Sequence, residues 1–145
     1  MTKDGFERLK SQLRRDEGSR LESYRDQGGN ITVGVGHNIN AHGIRITPDL
    51  EDDLLDEDTA RAVVETIEAL PWVQDLDEAR QRVLYNMAFN LGINGLLGFH
   101  DTLHSVQAGR YTDAADRMLQ STWARQVGPR AKRLADAMRT GWELP

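Results

Sequence analysis

EGSRLESYRDQGGNITVGVGH, residues 17–37 of a 145-residue chain, changes its period half-way and so decides how the chain folds. Ahead of it, Phe6, Leu9 and Leu13 recur at spacings of three and four, which predicts an amphipathic helix, with Asp4 and Glu7 reading as its capping box. Gly18 is the expected stop, because it reaches the left-handed cap conformation without a Cβ clash. Glu17 follows Leu13 by four residues and is therefore expected on the inward face. Beyond it, Leu21–Asp26 alternates irregularly, Gln27-Gly28-Gly29-Asn30 reads as a turn, and Ile31, Val33 and Val35 alternate with Thr32, Gly34 and Gly36. That period of two predicts a hairpin whose second strand has one apolar face and one nearly bare face.

Working outward, a third strand is expected at Ile44-Arg45-Ile46 after the His42-Gly43 turn. Thr47 then caps a helix with Pro48 at its first position, running to about Leu70 and closed by Pro71. Apolar near its ends and acidic in its middle, it reads as a bridge between two lobes. The remainder reads as helices punctuated by Gly92, Gly98, Gly109 and Gly128-Pro129, with Tyr111 to Trp123 as one of them. The expected fold is α+β: a small N-terminal lobe (1–47) with a three-stranded antiparallel sheet, a connecting helix (48–70) and a C-terminal helical bundle (71–145), within one domain.

Composition excludes several classes. With no cysteine there is neither a disulfide framework nor a thiolate zinc site. MTKDGFERLK lacks the apolar segment of a signal peptide, and no run approaches a membrane span, so a start in the cytosol and no membrane insertion are expected. The net charge of −5 argues against nucleic acid as a partner. Charge is uneven: residues 49–58 hold seven acids and no base, while residues 110–139 hold seven Lys/Arg against Asp113, Asp116 and Asp136. Both runs read first as solvated helix faces, the basic one also as a surface for an anionic polymer.

The spacing Glu17-x8-Asp26-x5-Thr32 places two carboxyls and a hydroxyl around one helix end and one hairpin. An inward carboxyl at a helix C-terminus is favoured in its protonated form, while one at a wet turn stays ionised. An acid and a base separated in this way suit glycosidic bond cleavage, with Thr32 beside the base over the bare glycine face. His100 and His104 stand four apart like two zinc ligands, but no third ligand is evident, so no metal is expected. Trp72, Trp123 and Trp142 read as core.

The run Asp16-Glu17-Gly18, Tyr24-x-Asp26 and Thr32-Val33-Gly34-Val35-Gly36-His37, followed in order by Asn86–Gly92, Gly98-Phe99, Trp123 and Arg130–Arg133, resembles the phage-type lysozymes, the endolysins of tailed bacteriophages such as the T-even coliphages. The resemblance spans about residues 6–142. It implies a lysozyme-like fold and an inverting muramidase that cleaves the β-1,4 bond between N-acetylmuramic acid and N-acetylglucosamine of peptidoglycan, with no cofactor. It implies Glu17 as general acid, Asp26 as general base and Thr32 as holder of the attacking water. Asn38, Phe89, Thr102 and Arg117 would line the sugar cleft, Arg130 would approach the acid, and His37 would pair with Asp58. A monomer is expected, released from the host cytoplasm to the wall through a holin. Two other readings stay open: a lytic transglycosylase, which needs no activated water, and a catalytically silent wall-binding protein.

Overall fold

The computed structural model describes residues 1–25, 31–38 and 46–143. Helix α1 (Lys3–Glu17) is capped by Thr2, whose hydroxyl accepts from the Gly5 amide at 3.0 Å. The capping-box reading of Asp4 and Glu7 is thus corrected: the extended backbone at Thr2 already presents a hydroxyl, and Asp4 instead lies in the first turn, where its charge suits the positive helix end. Leu9 and Leu13 are fully buried. Gly18, at φ 76°, ends the helix, its amide bonded to the Arg14 carbonyl.

Strand β1 (Arg20–Arg25) pairs antiparallel with β2 (Ile31–Gly34), Tyr24 opposite Thr32. β2 pairs in turn with β3 (His37–Asn38), Thr32 opposite Asn38 and Val33 opposite His37. β2 stops at Gly34 rather than Gly36 because both glycines have positive φ, 67° and 72°, and the chain reverses over Val35-Gly36. The strand expected at Ile44-Arg45-Ile46 falls largely outside the described residues, as do the His42-Gly43 turn and Asp26, and Ile46 is buried without belonging to a strand.

The expected α+β fold is corrected. Strands of 6, 4 and 2 residues form a short arm, whereas helices as long as 22 and 20 residues carry the described chain, making this a predominantly helical protein. The period-two pattern was real but local: two positive-φ glycines end it after four residues.

Helix α2 (Pro48–Ala69) starts where Thr47 accepts from the Leu50 amide at 3.1 Å. Its acids form the expected solvated face only in part, Asp49, Asp53 and Glu57 being exposed. Asp52 and Asp56, one turn apart, hold the Lys10 ammonium at 3.1 and 2.6 Å, Arg14 also binds Asp52, and Lys10 is only 3% exposed.

The described chain divides into two units, Thr2–Arg61 and Ala62–Pro145 with Met1, the boundary falling within α2. In the second, a 3₁₀ turn (Pro71–Asp75) leads to α3 (Glu78–Leu97), which Asp77 caps and which Gly92 breaks at φ 73°. Then come α4 (His100–Gln107), α5 (Tyr111–Leu119), α6 (Thr122–Val127) and α7 (Pro129–Thr140). The single helix expected through Trp123 is two, because Ser121 turns out of α5 and caps α6. Val83, Leu84, Met87, Leu96, Met118 and Met138 form the core. Trp123 is buried as expected, edge-on to Phe99 with centroids 6.0 Å apart, but Trp142 is 73% exposed and is no core residue. Three bases of the basic segment are paired locally, Arg117 with Asp113, Lys132 with Asp136 and Arg139 with Asp116. No described helix is long and apolar enough to cross a membrane.

The Lys10 seam gives a pH-dependent stability. The Lys10 hydrogen bond, against some opposition from burial, holds Asp52 below its ordinary 3.8, so this stabilisation is complete above that value and lost as pH falls through the lower folded one. Burial acts to lower Lys10, but bonds to Asp56 and Asp52 outweigh it and raise the group above 10.5; its contribution is complete below 10.5 and lost as pH rises through the folded value. Lys10→Ala should cost roughly 1–3 kcal/mol in urea unfolding at neutral pH. The penalty should shrink when unfolding is repeated near pH ~2.5; an undiminished penalty there would contradict the seam.

Candidate active site

Glu17 is the last residue of α1, and Gly18 turns the chain away immediately behind it. Its half-buried side chain lies against Gly36: a Cβ added there would stand 3.2 Å from Glu17 Oε2 and 3.3 Å from the carboxyl carbon. Gly36 is thus required twice, by its φ of 72° and by the carboxylate pressed against it. A Cβ at Gly34 would stand 3.2 Å from Glu51 Cγ and 3.4 Å from Ile46 Cδ1. The bare glycine floor expected from the sequence is therefore corrected to a packing surface, with Glu17 on one glycine and Glu51 on the other. Thr32 is 2% exposed, so its hydroxyl does not stand over an open floor as expected.

Two contacts anchor this region to α2. His37 Nδ1 lies 2.5 Å from Asp58 Oδ2, the pairing that the resemblance implied. Ser19 Oγ lies 2.6 Å from both oxygens of Glu51, a contact that nothing in the spacing announced, since it joins a loop serine to an acid 32 residues away. The structure thus brings together Glu17, Gly36, His37 and Asp58, with Thr32 on the adjoining strand; Asp26 lies outside the described residues. Asn38 is placed by its backbone, opposite Thr32.

In the second unit, Phe89 is half-buried on α3, and its neighbour Asn90 accepts from the Trp123 indole N–H at 2.8 Å. Arg130, 5% exposed, donates from Nε and a terminal nitrogen to Asn86 Oδ1 at 3.0 and 2.8 Å. Asn86 carries this arginine, a role its place in the sequence motif did not reveal. Thr102 is 4% exposed, which does not fit a cleft-lining residue. Arg117 is displayed on α5, its Nε 3.0 Å from Asp113, which also accepts from the Ser105 hydroxyl. The Ser105 hydrogen bond first, and Arg117 second, hold Asp113 below the usual carboxylate range. His100 and His104 are exposed on α4, and the described residues contain no cluster of three or more metal-ligating side chains.

Of this arrangement the resemblance implied the His37–Asp58 contact but not the approach of Glu17 to Gly36, and the family model for phage lysozyme matches residues 14–139. The chain belongs to the phage lysozyme family. It is 28% identical to probable T4-type lysozyme 1 of Dictyostelium discoideum over an alignment covering 92% of this chain and 94% of that protein. It is 34% identical to the endolysin of Salmonella phage P22, covering 75% and 77%, and 30% identical to the pre-baseplate central spike protein Gp5 of Enterobacteria phage T4, covering 89% of this chain but 27% of that longer protein. The family and its endolysin relative support lysozyme function.

Gly36→Ala should unfold about 1–3 kcal/mol more easily from backbone strain and, on the reading of Glu17 as the acid, also lose activity, because the added methyl displaces the Glu17 carboxylate. Gly109→Ala, at φ 77° with nothing within 4 Å, should lose comparable stability and keep its activity. Thermal melts beside peptidoglycan clearing rates check this pair; equal activity in the two variants would contradict the close approach.

Proposed function

We propose that the protein is a muramidase that hydrolyses the β-1,4 bond between N-acetylmuramic acid and N-acetylglucosamine of bacterial peptidoglycan, with inversion, at the end of a phage infection. The observation that carries the proposal is the half-buried Glu17 carboxyl at a helix end, fixed against Gly36 one residue before the His37–Asp58 pair. In this mechanism Glu17 gives its proton to the glycosidic oxygen as the bond to C1 breaks. Asp26 takes a proton from a water that attacks C1 from the opposite face, and Thr32 holds that water. An acid alone would serve a transglycosylase; a second carboxyl and a hydroxyl at this spacing favour hydrolysis.

Asn38, Phe89 and Arg117 are the proposed sugar contacts, Thr102 being too buried for that role. The protein acts as a monomer and needs a holin to pass from the host cytoplasm to the wall.

The test is turbidity loss of purified peptidoglycan. Glu17→Gln should lose activity by about 10²–10⁴-fold, the usual worth of a positioned proton donor. Asp26→Asn should fall comparably, and both should melt like the wild type. A fully active, folded Glu17→Gln would overturn the assignment and favour a wall-binding protein without catalysis.

A further inference from the structure

Glu51 touches the chain on both sides of the Glu17–Gly36 contact. Its two carboxylate oxygens lie 2.6 Å from Ser19 Oγ, two residues after Glu17. Its Cγ packs where a Gly34 side chain would begin, two residues before Gly36. The side chain is largely buried, 8% exposed, in the first turn of α2, where its amide bonds to the Thr47 carbonyl at 2.9 Å. A hydroxyl given to a carboxylate at this distance is a charge-assisted hydrogen bond, shorter and stronger than a neutral one.

The position of Ser19 makes this bond matter. Gly18 leaves α1 at φ 76° and ψ 161°, a conformation with no side chain to hold it. Ser19 is small and exposed and adds nothing to the core, so its bond to Glu51, beside the pairing of Arg20 with Gly34 one residue on, fixes where the chain goes after Glu17. Helix α1 does not need that bond to stay in place, because Leu9 and Leu13 are fully buried and Lys10 and Arg14 bind Asp52. Loss of the Ser19–Glu51 contact would loosen the end that carries the carboxyl and leave the helix docked.

We propose that Glu51 is a positioning residue for the Glu17 carboxyl, acting through Ser19 on one side and Gly34 on the other. The proposal rests on the reading of Glu17 as the general acid. Glu51 and Asp58 stand seven residues apart, two helical turns, so one face of α2 sets both the chain behind Glu17 and the turn in front of it.

The experiment measures initial rates on purified peptidoglycan over a range of substrate concentrations, with melting temperatures, for wild type, Ser19→Ala, Ser19→Thr, Glu51→Met, the double variant Ser19→Ala/Glu51→Met, and Glu17→Gln. Glu51→Met keeps the packing on Gly34 and removes the acceptors. Ser19→Ala should lower kcat roughly tenfold, short of the ~10²-fold that a 1 Å misplacement costs, with KM within about twofold and the melting temperature close to wild type. Ser19→Thr should restore most of the rate, and the double variant should be no slower than the slower single. Wild-type kcat in Ser19→Ala, a change in KM alone, failure of Ser19→Thr to restore the rate, or losses that multiply in the double variant would overturn the proposal. An inactive Glu17→Gln beside an unimpaired Ser19→Ala removes the positioning role alone. A fully active Glu17→Gln removes the acid assignment and the positioning role with it.

Discussion

The pairing of buried Lys10 with Asp52 and Asp56 is the constraint on which the N-terminal unit depends. An ammonium 3% exposed must keep its partners, since an unpaired charge at that depth is costly. Lys10 can meet both acids only at one rotation and one height of α1 against α2. Glu17 lies seven residues further along the same helix, so the rotation that satisfies Lys10 also sets which way the helix end points. Two more acids of that run complete the arrangement, Glu51 holding Ser19 and Asp58 holding His37. Four of the seven acids between residues 49 and 58 therefore have a structural assignment around Glu17.

The second unit uses polar contacts in a similar way within a larger apolar core. Arg82, Asn86 and Asn90 lie four apart along α3 and so form one stripe. Each holds a different element: Arg82 pairs with Glu143 at 2.7 Å, Asn86 accepts from Arg130 of α7, and Asn90 accepts from Trp123 of α6. Leaving any of these groups unpaired inside the helical packing would cost more than the net worth of its bond, so the stripe selects the partners as well as stabilising them.

Much of the helical layout was legible because its signals are local. Gly18, Thr47-Pro48, Pro71, Gly92 and Gly128-Pro129 act through φ, a missing N–H or a nearby hydroxyl, and each marks a boundary or break seen in the structure. The start of α1 was misplaced because Thr2 and Asp4 are both competent caps, and the Ser121 cap was hidden inside a helical-looking run. Within the site, the helix-end place of Glu17 was legible from its spacing after Leu13 and the His37–Asp58 contact through the family resemblance, whereas the packed glycines and the burial of Thr32 were not legible. Those depend on side chains brought in from α1 and α2, which alternation along one strand does not encode. The partners of Glu51, Asp52, Asp56 and Asp58 were hidden for the same reason, since a charge run shows its partners only after folding.

On the proposed mechanism, the acid held in this way works with an activated water and not alone. Mass spectrometry of the muropeptides released from purified peptidoglycan tests it directly. Products ending in an N-acetylmuramic acid that has gained one water are the predicted result; products ending in the 1,6-anhydro sugar would contradict it.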